Sequence, residues 1–171
     1  PHIDKLGSTR WFRTKQKIRD SIVTLAGDLI RLYASRSVAK GWRFEPMGAE
    51  DERFADGFPF DETPDQLKAI EETIQDLSLD KPMDRLVCGD VGFGKTEVAM
   101  RAAFKCFQHA RQVAVLVPTT ILVEQHKKSF VERFAGYPAK IAAVSRFYSH
   151  AENQKTLESR SEEHTSELQS P

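Results

Sequence analysis

The chain has 171 residues, with 25 Lys and Arg against 25 Asp and Glu, and 40% of its residues are hydrophobic. This length predicts one domain with an extension, and the balanced net charge by itself indicates no polyanionic partner. Cys88 and Cys106 lack C-x-x-C spacing, which argues against structural zinc and favours a reduced, cytoplasmic protein. No apolar run approaches the ~18 residues of a membrane span and no signal-peptide pattern occurs, so we expect neither membrane insertion nor export.

The first predicted segment, residues 1–41, contains a long, basic, amphipathic helix that is capped by Ser8 or Thr9 and runs to about Lys40. One apolar stripe recurs along it at spacings of three and four residues: Ile18, Ile22, Leu25, Leu29 and Leu32. Gly41 is the expected end of the helix. Its first turns carry five positive charges: Arg10, Arg13, Lys15, Lys17 and Arg19. These charges indicate either an ordinary solvated face or a surface that contacts phosphates or an acidic partner.

Residues 42–62 predict an ordered, acidic linker. Eight acids face one Arg between Glu45 and Asp65, and five aromatic side chains are available as anchors: Trp42, Phe44, Phe54, Phe58 and Phe60. Thr63 is predicted to cap the next helix, with Pro64 at its first position.

The strongest pattern lies between a short apolar run, Arg85–Cys88, and a run of helix formers, Glu97–Lys105. Eight residues there fit the phosphate-binding pattern G-x-x-x-x-G-K-[ST]: Gly89, Asp90, Val91, Gly92, Phe93, Gly94, Lys95 and Thr96. Glycines allow successive backbone N–H groups to turn inward and cradle phosphates. Lys95 then reaches the β- and γ-phosphates of ATP, and the Thr96 hydroxyl is a ligand for Mg²⁺. The alternative is a glycine turn that matches by chance.

Strands and helices are predicted to alternate beyond the loop. Apolar runs at Gln112–Val117 and Lys140–Val144 indicate two further strands, and helices are expected from Thr119 or Thr120 to about Phe134 and from Ser149. This order predicts an α/β fold over residues 63–159, a truncated P-loop (RecA-like) domain with a parallel sheet and flanking helices. Residues 160–171 look like the in-frame translation of a sequencing-library adapter, so we exclude them from the expected fold.

Five segments resemble the bacterial transcription-repair coupling factors, a family of superfamily 2 DNA translocases: Lys5–Trp11, Phe58–Gln66, Met83–Phe104, Val113–Thr120 and Ser145–Phe147. The resemblance implies ATP-driven translocation on double-stranded DNA in the bacterial cytoplasm. It also implies RNA polymerase and nucleotide-excision-repair proteins as partners, reached mostly through regions outside this chain. The second carboxylate motif and the second motor lobe of the family do not occur in these 171 residues, so the chain is expected to bind ATP at most.

The resemblance assigns adenine recognition to an aromatic residue followed by Thr-Pro-x-Gln. Here Phe60 would stack on the base, and the Gln66 amide would hydrogen-bond the edge of the base, as amides do with adenine in DNA. The alternative for Gln66 is an exposed helix residue.

The resemblance also implies two contacts with a nucleic-acid backbone. Pro118, Thr119 and Thr120 resemble motif Ia, which holds a phosphate, although a plain helix cap explains the same residues. Ser145 and Arg146 resemble motif Ib, for which an ordinary surface Arg is the alternative. Two other functions stay open at this point: a branch-migration helicase of recombination and a nucleotide-binding switch without motor activity.

Overall fold

The computed structural model describes residues 9–167, with side chains through residue 160. This range contains six helices: α1 (Thr9–Val38), α2 (Ala49–Asp56), α3 (Pro64–Leu77), α4 (Lys95–Gln108), α5 (Thr120–Arg133) and α6 (His150–Glu167). Two compact units are distinguished. One comprises the chain up to Glu45 together with Gln75–Leu86, and the other comprises Pro46–Ile74 together with the chain from Val87 onward. None of the helices in residues 9–167 is long and apolar enough to span a membrane.

Helix α1 confirms the predicted long basic helix and ends three residues before Gly41. Gly41 is required for a close approach of backbone, because an added Cβ would lie 2.6 Å from Lys81 O and 2.7 Å from Pro82 N. The Gly41 N–H donates to Asp80 O at 2.8 Å, which fixes this approach. None of the described α1 residues is buried, and the predicted apolar stripe is about half exposed along its whole length.

The core of the second unit is aromatic. Phe54 of α2 and Phe104 of α4 are 1% and 2% exposed, and their rings stack in parallel at 4.1 Å between centroids. Phe134, which ends α5, packs against both rings, at 5.1 Å from Phe54 and 6.0 Å from Phe104. Burial of such large rings is the main stabilising contribution available to this unit. Phe54 therefore anchors residues 49–56, a helix that the sequence pattern did not predict.

A buried ion pair holds the same two helices together. Lys105 of α4 donates to Asp51 Oδ2 of α2 at 2.7 Å and to Pro46 O at 2.9 Å, and both charged side chains are below 10% exposure. Asp51 also accepts the Gly48 N–H at 2.8 Å, so the same carboxylate caps α2. Because its charge is paired and hydrogen-bonded on both sides, the buried lysine is tolerated.

The predicted helix starts at Thr63 and Thr119 are confirmed. Helix α3 begins at Pro64, with the Gln66 N–H donating to Thr63 Oγ1 at 3.2 Å. Helix α5 begins at Thr120, where Thr119 Oγ1 accepts the Leu122 N–H at 3.3 Å. In both cases a hydroxyl satisfies one of the N–H groups that the first turn of a helix leaves without an intrahelical acceptor.

The three predicted strands do not appear as β-structure within residues 9–167. The segments 85–88, 112–117 and 140–144 have neither helical nor strand assignment. A strand requires a neighbour that completes its ladder of backbone hydrogen bonds, and an apolar sequence run does not supply that neighbour. Two leucines in these segments are almost fully exposed, Leu86 at 86% and Leu116 at 98%.

Helix α6 continues to Glu167, eight residues past residue 159, where the predicted domain ends. Residues 160–167 contain neither Gly nor Pro, and nothing in their sequence interrupts a helix. We expect residues 160–171 to pack against nothing, and for the side chains of 161–171 this expectation lies outside the described residues. Arg160 is described, and its carbonyl oxygen accepts from Gln112 Nε2 at 3.1 Å.

Candidate nucleotide-binding site

The phosphate loop leads directly into helix α4. Gly94 is the N-cap of α4 with φ of 64°, and Gly92 has φ of 85°. Both values lie in the left-handed region, where glycine carries no Cβ penalty. Five of the six backbone N–H groups of residues 91–96 donate to no acceptor among the described residues: those of Val91, Gly92, Gly94, Lys95 and Thr96. The loop thus offers free donors at the positive end of a helix.

Lys95 brings a positive charge to the same loop. Its ammonium donates to Gly89 O and to Asp90 O, both at 2.6 Å. Phosphate oxygens compete with these two carbonyls for the ammonium, and they are acceptors for the free N–H groups. The donor set therefore fits a polyphosphate anion, as helix N-termini with inward-facing amides do.

Gln66 contacts the phosphate loop and is not an ordinary exposed helix residue. Its Oε1 accepts the Thr63 N–H at 2.7 Å, and its Nε2 donates to Phe93 O at 3.1 Å. A Cβ added at Gly94 would collide with Gln66 Nε2, so the amide lies directly against the loop. Each end of the amide keeps one further hydrogen-bonding position for a base, since Nε2 has a second hydrogen and Oε1 a second lone pair.

Phe60 is the exposed member of an aromatic pair. Its side chain is 71% exposed, and its ring meets that of Phe58 edge to face at 5.5 Å. The exposed face is open to stacking with a planar ligand.

A buried ionic cluster lies directly after the loop. Glu97, which follows Thr96, is 4% exposed, and its Oε1 accepts from Arg101 Nε at 2.5 Å and from Arg133 Nη2 at 2.9 Å. Arg101 also donates to Glu62 at 2.5 Å. These four residues, hereafter the Glu97 cluster, join helices α4 and α5 to the residue that precedes the Thr63 cap. We did not predict this cluster; its one sequence signal is the spacing of four residues between Glu97 and Arg101.

The Glu97 cluster bears on which carboxylates near the loop could act as a catalytic base or bind a metal ion. Since Glu97 Oε1 already accepts from two arginines, we do not expect Glu97 to serve as a base or as a metal ligand. Among the described side chains, which end at residue 160, no group of three or more His, Cys, Asp or Glu is arranged to hold a metal ion.

The two predicted nucleic-acid segments lie near helix α5. Thr119 is its N-cap, Thr120 is its first residue, and Pro118 is exposed just before it. Ser145 and Arg146 belong to a turn that is closed by the Tyr148 N–H, which donates to Ser145 O at 3.2 Å. The Tyr148 hydroxyl reaches α5, where Lys127 donates to it at 2.8 Å and Glu124 accepts from it at 3.1 Å. The structure brings this turn to the helix that Thr119 caps, and it places Arg146 in an exposed position.

The family model of the DEAD/DEAH box helicases matches residues 63–166. The chain belongs to the DEAD/DEAH box helicase family. The range that matches this helicase family contains the phosphate loop, Gln66, the Thr119 cap and the turn at Ser145. Phe60 lies before it.

Relatives and a solved structure agree with this helicase assignment. The transcription-repair-coupling factor of Bacillus subtilis (strain 168) is 48% identical over 157 residues, and that of Staphylococcus haemolyticus is 46% identical over 158 residues. Each alignment covers 92% of this chain but only 13% and 14% of the relative. A solved structure described as RecG bound to three-way DNA junction is similar to this chain, with a TM-score of 0.66 and 33% sequence identity. The match covers 74% of this chain and 17% of the RecG chain. The resemblance predicted from the sequence is confirmed. The helicase family and the RecG structure both fit a RecA-like fold.

Proposed function

We propose that this chain is the nucleotide-binding part of an ATP-driven, double-stranded DNA translocase of the transcription-repair-coupling kind. In that role the whole protein displaces stalled RNA polymerase and recruits nucleotide-excision-repair proteins in the bacterial cytoplasm. The observation that carries the proposal is the loop at residues 89–96, where free N–H groups and the Lys95 ammonium surround the N-terminus of α4. The relatives named as transcription-repair-coupling factors support the identity of the motor.

The loop and the adenine motif divide the recognition of ATP between them. The free N–H groups of residues 91, 92 and 94–96 bind the phosphates, and Lys95 exchanges its carbonyl partners Gly89 O and Asp90 O for phosphate oxygens. Gln66 binds the adenine edge with its remaining donor and acceptor while it stays attached to Phe93 O. Phe60 stacks on the base through its exposed face. Mg²⁺ would be held by the Thr96 hydroxyl together with the phosphates, and it would neutralise charge on the phosphate oxygens.

Binding without turnover is the expected activity of these 171 residues. Phosphoryl transfer needs a carboxylate that orients the attacking water and an arginine that neutralises charge, the latter worth roughly 10³ to 10⁵ in rate. Glu97 is the carboxylate closest in sequence to Thr96, and it already pairs with Arg101 and Arg133. We therefore propose that hydrolysis requires residues beyond this segment of the motor.

We also propose that the segments 85–88, 112–117 and 140–144 form a parallel sheet when neighbouring strands of the motor lobe are present. Their apolar composition and the exposure of Leu86 and Leu116 support this, because such side chains are expected to be covered by helices in a parallel sheet.

The proposal is tested by titrating a fluorescent ATP analogue with Mg²⁺ into the chain and into its Lys95→Ala variant. We expect Lys95→Ala to weaken binding at least tenfold, since it removes a charge-assisted hydrogen bond to phosphate. Lys128→Ala is the matched control, because Lys128 is an exposed lysine of α5 whose nearest acid, Glu132, is 3.8 Å away. Equal affinities for all three chains would contradict the assignment of the loop.

A phosphate-release assay tests the second part of the proposal. We expect no release above background from either the chain or its Lys95→Ala variant. Steady release that disappears in Lys95→Ala would show that a catalytic carboxylate lies within these residues.

The RecG structure favours a second candidate, a helicase of branched DNA. The two candidates differ in their preferred DNA. Tighter binding of the chain to a three-way junction than to a duplex of equal length would favour the second candidate, and equal binding would favour the first.

A further inference from the structure

Several hydrogen bonds hold the exposed turn that carries Arg146, residues 145–148. The Tyr148 N–H donates to Ser145 O at 3.2 Å, so Arg146 and Phe147 occupy the two corner positions. The Phe147 N–H donates to Ser145 Oγ at 3.2 Å, which adds a side-chain bond inside the turn. Phe147 is 60% exposed and Arg146 is exposed as well. The two corners therefore project from a turn whose ends are held.

One side chain outside the turn holds both of its ends. Asn153 of α6 accepts the Ser145 N–H with Oδ1 at 3.2 Å and donates with Nδ2 to Ser145 O at 2.9 Å. The same Nδ2 donates to Tyr148 O at 3.2 Å. Its amide thus pairs with the backbone of Ser145 as a second peptide group would, and it also reaches the other end of the turn. Asn153 is half-buried, and these bonds use its oxygen and both of its N–H donors.

Two neighbouring helices keep this arrangement in place. Ser149 caps α6, since the Glu152 N–H donates to Ser149 Oγ at 3.3 Å and Glu152 accepts the Ser149 N–H at 2.8 Å. This reciprocal cap lowers the pKa of Glu152, because the Ser149 hydroxyl and N–H stabilise its carboxylate. On the α5 side, Lys127 lies over the Tyr148 ring at 4.8 Å and bonds its hydroxyl. Asn153 is therefore presented by a capped helix to a turn that is itself anchored.

We propose that Asn153 is a positioning residue that presents Arg146 to the nucleic-acid backbone. The inference rests on the proposed function, a translocase on double-stranded DNA, and on the resemblance to motif Ib, which implies that Arg146 contacts a phosphate. A guanidinium on a mobile loop loses conformational entropy when it binds phosphate, whereas a guanidinium on a fixed turn has lost part of it already. Asn153 touches no ligand itself and acts through the conformation of residues 145–148.

The test is a double-mutant cycle between Asn153→Ala and Arg146→Gln, read by the fluorescence anisotropy of a labelled DNA duplex. Loss of one or two hydrogen bonds to the turn predicts that Asn153→Ala weakens duplex binding by roughly 3- to 10-fold. In the Arg146→Gln background the same substitution should have no further effect, since the side chain that it positions is gone. Gln154→Ala is the matched control, because Gln154 is the next residue of α6 and its side-chain amide donates to Glu158 within the same helix and not to the turn.

The possible outcomes separate the two claims. If Arg146→Gln leaves duplex affinity unchanged, Arg146 is not a phosphate contact, and both the contact and its positioning are overturned. If Arg146→Gln weakens binding but Asn153→Ala does not, or if Asn153→Ala weakens it equally in both backgrounds, the positioning role alone is overturned. Thermal unfolding of each variant identifies a loss of fold. Should Asn153→Ala unfold, Tyr148→Phe enters the cycle in its place, with the same two criteria, because it removes the hydrogen bonds of the Tyr148 hydroxyl to Lys127 and Glu124 that anchor the same turn.

Discussion

The Glu97 cluster predicts a large loss of stability when its central charge is removed. Glu97 is 4% exposed, and the Arg101 and Arg133 side chains that it binds are 7% and 10% exposed. After Glu97→Gln, Arg101 keeps Glu62 at 2.5 Å. Arg133 is then paired with no carboxylate among the described residues. Its remaining contact is with the face of the Phe54 ring, whose centroid lies 3.9 Å from the guanidinium carbon.

Removal of one partner from a buried ion pair costs about 3–5 kcal/mol. We expect the lower end of this range for Glu97→Gln, because Arg101 keeps a partner and the new amide oxygen still accepts a hydrogen bond. A loss of about 3 kcal/mol corresponds to a fall of about 1 to 3 M in the urea midpoint. The free energy of unfolding is measured by urea titration with far-UV circular dichroism, which reports the helices.

Two further variants make this result specific. Glu132→Gln removes an exposed acid of α5 that lies 3.8 Å from Lys128, and it should change the free energy of unfolding by less than about 0.5 kcal/mol. The double variant Glu97→Gln with Arg133→Gln should be more stable than the sum of the two single losses predicts, since it leaves no unpaired charge at Arg133. A loss below about 1 kcal/mol for Glu97→Gln would refute the reasoning.

Three other predictions concern reactivity, pH and salt. Cys88 is exposed, whereas burial raises the pKa of the half-buried Cys106. A thiol reagent should therefore modify Cys88 faster than Cys106, and Mg-ATP should slow the modification of Cys88 alone. Equal rates for the two thiols, or protection of both by Mg-ATP, would contradict this. The hydrogen bond from Arg85 lowers the pKa of Asp76 below its ordinary 3.8, so this carboxylate stabilises the fold above that pH and the effect disappears as the pH falls through the folded pKa. Asp76→Asn should therefore remove part of the acid sensitivity, and an unchanged acid midpoint would argue against it. The third prediction replaces the five early charges of α1 by Gln: Arg10, Arg13, Lys15, Lys17 and Arg19. If they bind DNA, the slope of log K for duplex binding against log salt concentration should become shallower by up to about 0.9 for each phosphate that is no longer neutralised. An unchanged slope would assign these charges to a solvated face.

The features that sequence predicted well are local ones. The Thr63 and Thr119 caps, the Pro64 start and the end of α1 near Gly41 depend on a few neighbouring residues, and the structure has them where they were expected. The phosphate loop is also local, because its glycines and the start of α4 at Lys95 follow one another in sequence.

The features that sequence missed depend on distant partners. Helix α2 presents one large apolar residue, Phe54, and its significance appears only when the ring stacks on Phe104. The contact of Gln66 with Phe93 O spans 27 positions, and that of Arg133 with Glu97 spans 36. Strand pairing is equally non-local, which is why the apolar run at 112–117 predicted a strand that the described structure does not contain.

The central claim is that the loop at residues 89–96 binds the phosphates of ATP, and calorimetric titration with ATP and with AMP tests it most directly. Both ligands carry the same base, and AMP lacks the β- and γ-phosphates that Lys95 is proposed to bind. We expect the chain to bind Mg-ATP at least tenfold more tightly than AMP, and Lys95→Ala to reduce this difference at least tenfold while AMP binding is unchanged. Equal affinity for ATP and AMP in the unmodified chain, or a preference for ATP that Lys95→Ala leaves at its full size, would contradict the claim.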